Sequence, residues 1–281
     1  MDILEILTDD RPMTDNSLHE KRLTEHGLSI YFEKDGYKWL VDTGLTGQFA
    51  KNAASSGIDI SQVDHLILSH NHNDHTGGLE TFLENNSKAL IHLSLWIRES
   101  TCFSIRDNIK KDIGLDRELT ERYASRFVWH PSENIQLTDH VWLLANIPVI
   151  YPLPMANENL LWNYKGKDAP DPFDHEMALL IREEKGNTVI SSCTHRGVLN
   201  TLQAAVTLAK SPINAFVGGT HLRDGHETEE DLLNITSLII ESHPQMHLFT
   251  GHCTGEHIVT VLRRFLPGHI TLFHSGFRTE I

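Results

Sequence analysis

The strongest constraint on the fold is the order of the apolar segments, because the chain follows the same plan twice. In each half, apolar runs of strand length come first as β-hairpins and then alternate with helical patterns. A hairpin is predicted across residues 34–36, and strands and helices alternate regularly over residues 188–273. We therefore predict an α/β chain, folded as a four-layer αββα sandwich and forming a single domain over residues 1–281.

Two stretches depart from this plan. Residues 94–127 hold the main concentration of basic residues and are predicted to be a helical insertion. The insertion is either a solvated surface or a cap over a site for an anionic substrate. The Pro-rich residues 152–172 are predicted to be an active-site rim or an interface segment.

Charge and cysteine content limit the class of function. The chain has 38 Asp and Glu against 24 Lys and Arg, a net charge of −14 that would repel a phosphate backbone. It lacks a run of about 18 apolar residues, its first residues do not resemble a secretory signal, and its three cysteines are widely spaced. We expect a cytoplasmic protein that binds a small molecule, which could be anionic, and neither nucleic acid nor a membrane. The oligomeric state is left open.

A cluster of metal-binding residue types follows a predicted buried strand at residues 65–68. The cluster occupies six consecutive positions and contains His70, His72, Asp74 and His75. Imidazole and carboxylate groups suit Zn²⁺, Fe or Mn²⁺, and the glycines at 77 and 78 allow a sharp turn into the next helix. Four such residues behind a buried strand disfavour the alternative of scattered surface histidines. We predict one or two divalent metal ions, with zinc favoured over iron and manganese.

The same residues carry a resemblance to a known family. The run from His70 to His75 resembles the His-x-His-x-Asp-His motif of the metallo-β-lactamase superfamily, and Val41-Asp42-Thr43-Gly44 resembles that family's first motif. The resemblance implies a metallo-β-lactamase-like αββα fold and metal-dependent hydrolysis. It also implies that Asp42 orients a ligand histidine and that Asp74 holds and orients the attacking hydroxide.

A narrower resemblance is found in four further segments. They are similar to a subgroup that includes the archaeal synthase joining a pterin to a ribofuranosylaminobenzene 5′-phosphate, and bacterial members called only metal-dependent hydrolases. The segments are residues 24–29, 192–197, 218–222 and 251–255.

The resembled fold takes its remaining metal ligands from strand ends in the second half of the chain. There the resemblance implies His195 and His252 as ligands. One metal is then expected between His70, His72 and His195. The other is expected between Asp74, His75 and His252. Three residues are predicted to bind substrate: His221, for which core packing is the alternative, His26 and Arg196.

The ligand set departs from the family pattern at two positions. Residues 152–154 stand where a third-motif histidine is expected, and Cys193 stands where a bridging carboxylate is usual. A buried structural role for Cys193 is favoured over a thiolate ligand, and His175 is an alternative source of a ligand.

Three functions remain open. The favoured one is hydrolysis of a small ester, lactone or phosphoester by a metal-bound hydroxide. The alternatives are a transferase like the pterin and ribofuranosylaminobenzene-phosphate synthase, and a non-hydrolytic diiron redox protein. Retained iron would favour the redox function, whereas zinc or manganese would favour hydrolysis.

Overall fold

A computed structural model describes residues 3–12, 22–184 and 186–280. Its strands, in chain order, are β1 (Ile3–Thr8), β2 (Ser29–Lys34), β3 (Tyr37–Val41), β4 (His65–Ile67), β5 (Leu90–Ser94), β6 (Ser100–Arg106), β7 (Ile109–Asp112), β8 (Phe127–His130), β9 (Ile135–Gln136), β10 (Val141–Leu144), β11 (Leu160–Tyr164), β12 (Lys167–Pro170), β13 (Ala178–Glu183), β14 (Gly186–Ile190), β15 (Ile213–Val217), β16 (His247–Thr250), β17 (Ile270–Leu272) and β18 (Arg278–Glu280). Its α-helices are α1 (Gln48–Ser55), α2 (Asn73–Thr76), α3 (Leu79–Asn85), α4 (Leu95–Glu99), α5 (Arg117–Arg122), α6 (Val198–Ala209), α7 (Glu229–Ser242) and α8 (Glu256–Phe265).

The chain divides into two compact units. Unit 1 consists of Met1–Ser132, Asn159–His175 and Phe273–Ile281, and unit 2 consists of Glu133–Glu158 and Glu176–Leu272. The single domain expected from the sequence stays a prediction. None of the described helices is long and apolar enough to cross a membrane.

Unit 1 is built on a mixed sheet of seven strands in the order β18-β1-β2-β3-β4-β5-β8. Strands β3, β4, β5 and β8 run parallel, and β1, β2 and β3 are antiparallel. The predicted β2–β3 hairpin is present, and Asp35 and Gly36 in its turn have the positive φ angles that such two-residue turns require. Buried side chains of the strands pack against Phe49 of α1 and Phe82 of α3.

Unit 2 is built on a second seven-stranded sheet in the order β17-β16-β15-β14-β13-β10-β9. Its β14, β15, β16 and β17 are parallel and connected by α6, α7 and α8, as the sequence predicts. The apolar residues 149–151 are not in a strand. Asn200 accepts the backbone N–H groups of Ile150 and Tyr151 at 2.8 Å, so a side chain replaces a neighbouring strand.

The prediction of a mostly helical insertion over residues 94–127 is wrong for its centre. The two short helices α4 and α5 flank a β6–β7 hairpin, and β6 pairs with β11 of a second hairpin, giving a small sheet ordered β12-β11-β6-β7. The two turns have positive φ at Asp107 and Asn108, and at Lys165 and Gly166. Two of the buried positions of β6 are serines, so its apolar residues do not mark the period of two, but its burial alternates as in a strand.

The basic residues of this insertion make local contacts within unit 1. Lys110 pairs with Asp168 and lies 3.9 Å from the ring centre of Phe103. Arg122 reaches Glu80 at 3.4 Å. These contacts favour a solvated surface over a cap for an anionic substrate.

Candidate metal centre

Asp42 anchors the loop that carries the predicted metal ligands of unit 1. It follows β3, is fully buried and has a φ of 60°. Its Oδ1 accepts the backbone N–H of Ser69 at 2.7 Å, and its Oδ2 accepts the Ser69 hydroxyl at 2.6 Å. The same Oδ2 lies 2.8 Å from Nδ1 of His75. This contact with a histidine of the loop is the one that the family resemblance implies for Asp42.

Three buried imidazoles of the loop lie together. The ring centre of His70 is 4.6 Å from that of His72 and 4.2 Å from that of His75. Nδ1 of His70 lies 2.8 Å from the Ser69 hydroxyl, and Nδ1 of His75 contacts Asp42. Because Nδ1 is engaged in these two rings, Nε2 is the atom that each would offer to a metal.

The charges around the loop suit a cation. Burial lowers the pKa of His72 to about 3 and lowers the pKa of His70 well below its usual value, so both rings are neutral near pH 7. Burial also opposes the charged form of His75, but the carboxylates of Asp74 and Asp42 outweigh it and raise its pKa to about 9. The field that favours a proton on His75 would favour a metal ion there equally.

Asp74 lies at the edge of this group. Its Oδ2 is 3.5 Å from Nε2 of His75 and 3.4 Å from Nε2 of His26. The other nitrogen of His26 is 2.9 Å from Asp10. The His26 side chain is about half exposed, so it lies beside the loop in a position where a small molecule could reach it.

Gly78 explains how the chain turns so tightly after the ligand run. A Cβ atom at this position would lie 2.3 Å from the carbonyl oxygen of Thr43 and 2.4 Å from that of Thr46. Since no side chain fits there, glycine allows the backbone after β3 to approach the start of α3 closely.

A buried polar cluster supports the loop from within unit 1. His175 accepts the backbone N–H of Asn71 through Nδ1 at 3.2 Å, and its Nε2 lies 3.1 Å from Asp171 and 3.4 Å from the sulfur of Cys102. Both ring nitrogens of His175 are therefore engaged in orienting contacts. The sequence offers His175 only as an alternative ligand and gives no signal for this cluster.

In unit 2, His195 is held by two residues that the sequence analysis missed. Nδ1 of His195 lies 3.0 Å from Oδ1 of Asn157, whose amide donates to the His195 carbonyl at 2.8 Å. The Glu176 carboxylate accepts the backbone N–H groups of His195 and Arg196, each at 2.7 Å. The ring of His195 is thus fixed with its Nδ1 engaged, as the rings of His70 and His75 are in unit 1.

The other predicted residues of unit 2 also lie just beyond parallel strands. The ring centre of His221 is 4.1 Å from that of His195, and both are buried. Thr194, His221 and His252 have φ angles of 64°, 52° and 43°. Left-handed backbone costs a non-glycine residue about 1–2 kcal/mol, and such strain is concentrated at functional sites.

Arg196 is less available than the sequence suggests. Its guanidinium donates to the carbonyl of Ile147, and its backbone N–H is bound by Glu176. Its role in binding substrate stays a prediction.

Unit 2 also contains a cavity of about 380 Å³. Its walls are mostly apolar and come from the Tyr151–Met155 segment, the start of α6 and one side of α7, and Glu227 and Asp231 are among the lining residues. The Pro-rich stretch thus forms part of a cavity wall. A cavity of this size can hold a small organic molecule.

The donor set of unit 1 fits a divalent metal. The rings of His72 and His75 lie 4.6 and 4.2 Å from that of His70, next to one carboxylate. Imidazole and carboxylate are the ligand types that zinc, iron and manganese accept in hydrolytic enzymes. Hydrogen bonds to the distal nitrogen of His70 and His75 are the usual support of such ligands.

Comparison with known proteins agrees with this chemistry. A model of the metallo-beta-lactamase superfamily matches residues 24–135. Over 90% of its length the chain is 26% identical to the 7,8-dihydropterin-6-methyl-4-(beta-D-ribofuranosyl)-aminobenzene-5'-phosphate synthase of Methanocaldococcus jannaschii, and the match covers 89% of that protein.

Solved structures establish the fold. A metal-dependent hydrolase of the beta-lactamase superfamily has a TM-score of 0.82 at 24% identity, with 100% of this chain and 99% of that chain covered. A diphosphatase has a TM-score of 0.53 at 15% identity, with 100% and 98% covered. The α/β fold of the metallo-β-lactamase kind is therefore confirmed. The predicted resemblance to this superfamily, and to its pterin-synthase-like subgroup, is confirmed as well.

Proposed function

We propose that this protein is a metal-dependent hydrolase acting on a small ester, lactone or phosphoester. The observation that carries the proposal is the group of three buried imidazoles in unit 1, which lie beside Asp74 and of which His75 is held by the Asp42 carboxylate. Buried imidazoles with fixed orientation, of which His70 and His72 are neutral and His75 lies beside two carboxylates, match a divalent cation as their partner.

A divalent ion would supply a water of lowered pKa and a Lewis acid for the scissile carbonyl or phosphoryl group. The protein residues then have separate tasks. Asp74, with its carboxylate at the edge of the group, orients the nucleophile and accepts its proton. Asp42 keeps the His75 ring in one orientation and one tautomer. His26, on the exposed side of Asp74, contacts the substrate.

The remaining assignments rest on the sequence. His195 and His252 stay predicted as further ligands, zinc is the favoured metal, and one or two ions are expected. His221 and Arg196 stay predicted as substrate-binding residues. A cytoplasmic location and a small-molecule partner are proposed on the same basis.

A transferase function is the second candidate. It is favoured by the 26% identity, over most of both chains, to a protein named as a pterin ribofuranosylaminobenzene-phosphate synthase. A reaction with a dihydropterin and a ribofuranosylaminobenzene phosphate that forms a joined product, without turnover of simple esters, would replace the hydrolase proposal. Retention of iron with a diiron spectrum would instead favour the redox alternative.

The hydrolase proposal is tested with protein loaded with zinc or manganese. Turnover of a panel of p-nitrophenyl phosphodiesters, carboxylic esters and lactones is compared in the wild type, His75→Ala and His257→Ala. His257 is an exposed histidine of α8 and serves as the matched control. We expect hydrolysis by the wild type and His257→Ala and a loss of more than about 100-fold in His75→Ala, since changes outside the ligand shell already cost about 10- to 100-fold. Full turnover by His75→Ala would overturn the proposal.

A further inference from the structure

A second group of metal-binding atoms lies entirely within unit 2. The sulfur atoms of Cys193 and Cys253 and a ring nitrogen of His221 lie within 4.8 Å of one another. The three residues are 3%, 7% and 6% exposed, so the group is enclosed by protein. Each follows a different parallel strand, β14, β15 or β16, so the sequence alone does not bring them together.

The His221 ring lacks the partners that a buried imidazole needs. Both of its ring nitrogens are buried, and within the described residues neither has a hydrogen-bond partner. Leaving a buried polar atom unsatisfied costs about 1–3 kcal/mol. Core packing alone therefore does not explain a histidine here, whereas a ligand on one ring nitrogen does.

The backbone around the group is held in costly conformations. His221 itself has a left-handed φ of 52°, and Thr194 and His252, next to Cys193 and Cys253, have φ angles of 64° and 43°. Left-handed φ angles at three non-glycine residues, each at a neighbouring strand end, are costly for stability. They indicate that the fold holds these side chains in particular positions for a function.

The sulfur of Cys253 is fixed in place. It accepts the backbone N–H of His221 at 3.3 Å and donates to the carbonyl of Cys193 at 3.5 Å. A Cβ atom at Gly219 would lie 2.5 Å from this sulfur, so a glycine is required for the backbone to pass so close. Packing of this kind suits a preorganised ligand better than a side chain that only fills space.

We propose that Cys193, His221 and Cys253 form a metal site of their own, which holds zinc or another thiophilic divalent ion. In this proposal His221 is a metal ligand and not the substrate-binding residue that the sequence predicts. It shares no residue with the donor set of unit 1. Zinc sites of two cysteines and one histidine have bonds of about 2.3 Å to sulfur and about 2.0 Å to nitrogen, so ligand atoms lie roughly 3.5–4 Å apart. Each bound thiol loses its proton to solvent when the metal binds, and the Cys253 contact with the Cys193 carbonyl is given up.

The thiol ligands give this site a signature that a histidine and carboxylate site lacks. Protein reconstituted with Co²⁺ is expected to show a thiolate-to-cobalt charge-transfer absorption in the near ultraviolet. The absorption should persist in His72→Ala, which removes a donor of unit 1, and should disappear in the double variant Cys193→Ser, Cys253→Ser. Cys102→Ser, a change at the third buried cysteine, is the matched control and should keep the absorption.

X-ray absorption at the zinc edge of the wild type tests the same point without a variant that could fail to fold. Sulfur neighbours, retained in His72→Ala, support the site. A shell of nitrogen and oxygen only overturns the proposal. So does a charge-transfer absorption that survives the double cysteine variant. The proposal is also overturned if Cys193 and Cys253 form a disulfide and its reduction does not lead to sulfur coordination of zinc. Because His72→Ala should lose hydrolysis but keep this signature, failure of the site is distinguishable from failure of the proposed hydrolase.

Discussion

The histidine loop of unit 1 and the strand ends of unit 2 hold their imidazoles in contrasting ways. In unit 1 the ligand types lie on one short loop, and a fully buried carboxylate, Asp42, holds both Ser69 and His75. In unit 2 they lie on separate strand ends. There, Asn157 holds the ring of His195, and Glu176 holds its backbone.

The difference indicates which contacts stabilise each of the two sites. The loop of unit 1 depends on one ionic centre, because a single carboxylate satisfies three donors. In unit 2 the support comes from the neutral side chain of Asn157 and from hydrogen bonds of Glu176 to the backbone. The backbone there is also strained, with positive φ angles at Thr194, His221 and His252. The loss of stability on substitution should therefore be largest for Asp42, smaller for Glu176 and smallest for Asn157.

The largest loss of stability is expected for Asp42→Ala. The change leaves the Ser69 N–H and the His75 ring buried without their acceptor, and breaking a buried charged pair costs about 3–5 kcal/mol. Urea unfolding of metal-free protein should show this decrease in the free energy of unfolding. An Asp42→Ala protein as stable as the wild type would show that Asp42 does not anchor the loop.

A smaller loss is expected for Glu176→Gln. One of the two backbone N–H groups that the carboxylate accepts would face an amide NH₂, and hydrogen bonds to a charged group are worth about 1.5–3 kcal/mol. The same unfolding measurement checks it, with Glu84→Gln on the exposed side of α3 as the control. A loss as large as that of Asp42→Ala would remove the proposed contrast between the units.

The smallest loss is expected for Asn157→Ala. Its two contacts with His195 are neutral hydrogen bonds of a half-buried side chain, each worth about 0.5–1.5 kcal/mol. Asn85→Ala, an exposed asparagine of α3, is the control. If Asn157→Ala destabilises the protein more than Glu176→Gln, the backbone contacts of Glu176 are not the main support of His195.

The sequence predicts the regular parts of both units well. The period of the apolar residues predicts the alternating strands and helices of residues 188–273, and the structure contains them. It fails at the β6–β7 and β11–β12 hairpins, whose exposed faces are charged or aromatic. The paired residues Asp107 and Asn108, which readily adopt positive φ, were a turn signal that could have revealed the first of these hairpins.

Some residues of the candidate site could likewise be predicted from the sequence, and others could not. His70 to His75 could be predicted because they are contiguous, and Asp42 because its motif resembles that of a family. Asn157 and Glu176 could not be predicted, because they meet His195 from 38 and 19 residues away. The sequence favours a purely structural role for Cys193, because it does not show that His221 and Cys253 lie beside this residue.

The most direct test of the account is elemental analysis of the purified protein, comparing the wild type with His72→Ala and with the exposed-histidine control His257→Ala. The account predicts divalent metal, with zinc favoured, in the wild type and the control. In His72→Ala it predicts a lower metal content, since one ligand of the histidine loop is lost. Equal metal content in all three proteins, or a wild type that binds no divalent metal on reconstitution, would contradict the claim that the histidine loop of unit 1 is a metal centre.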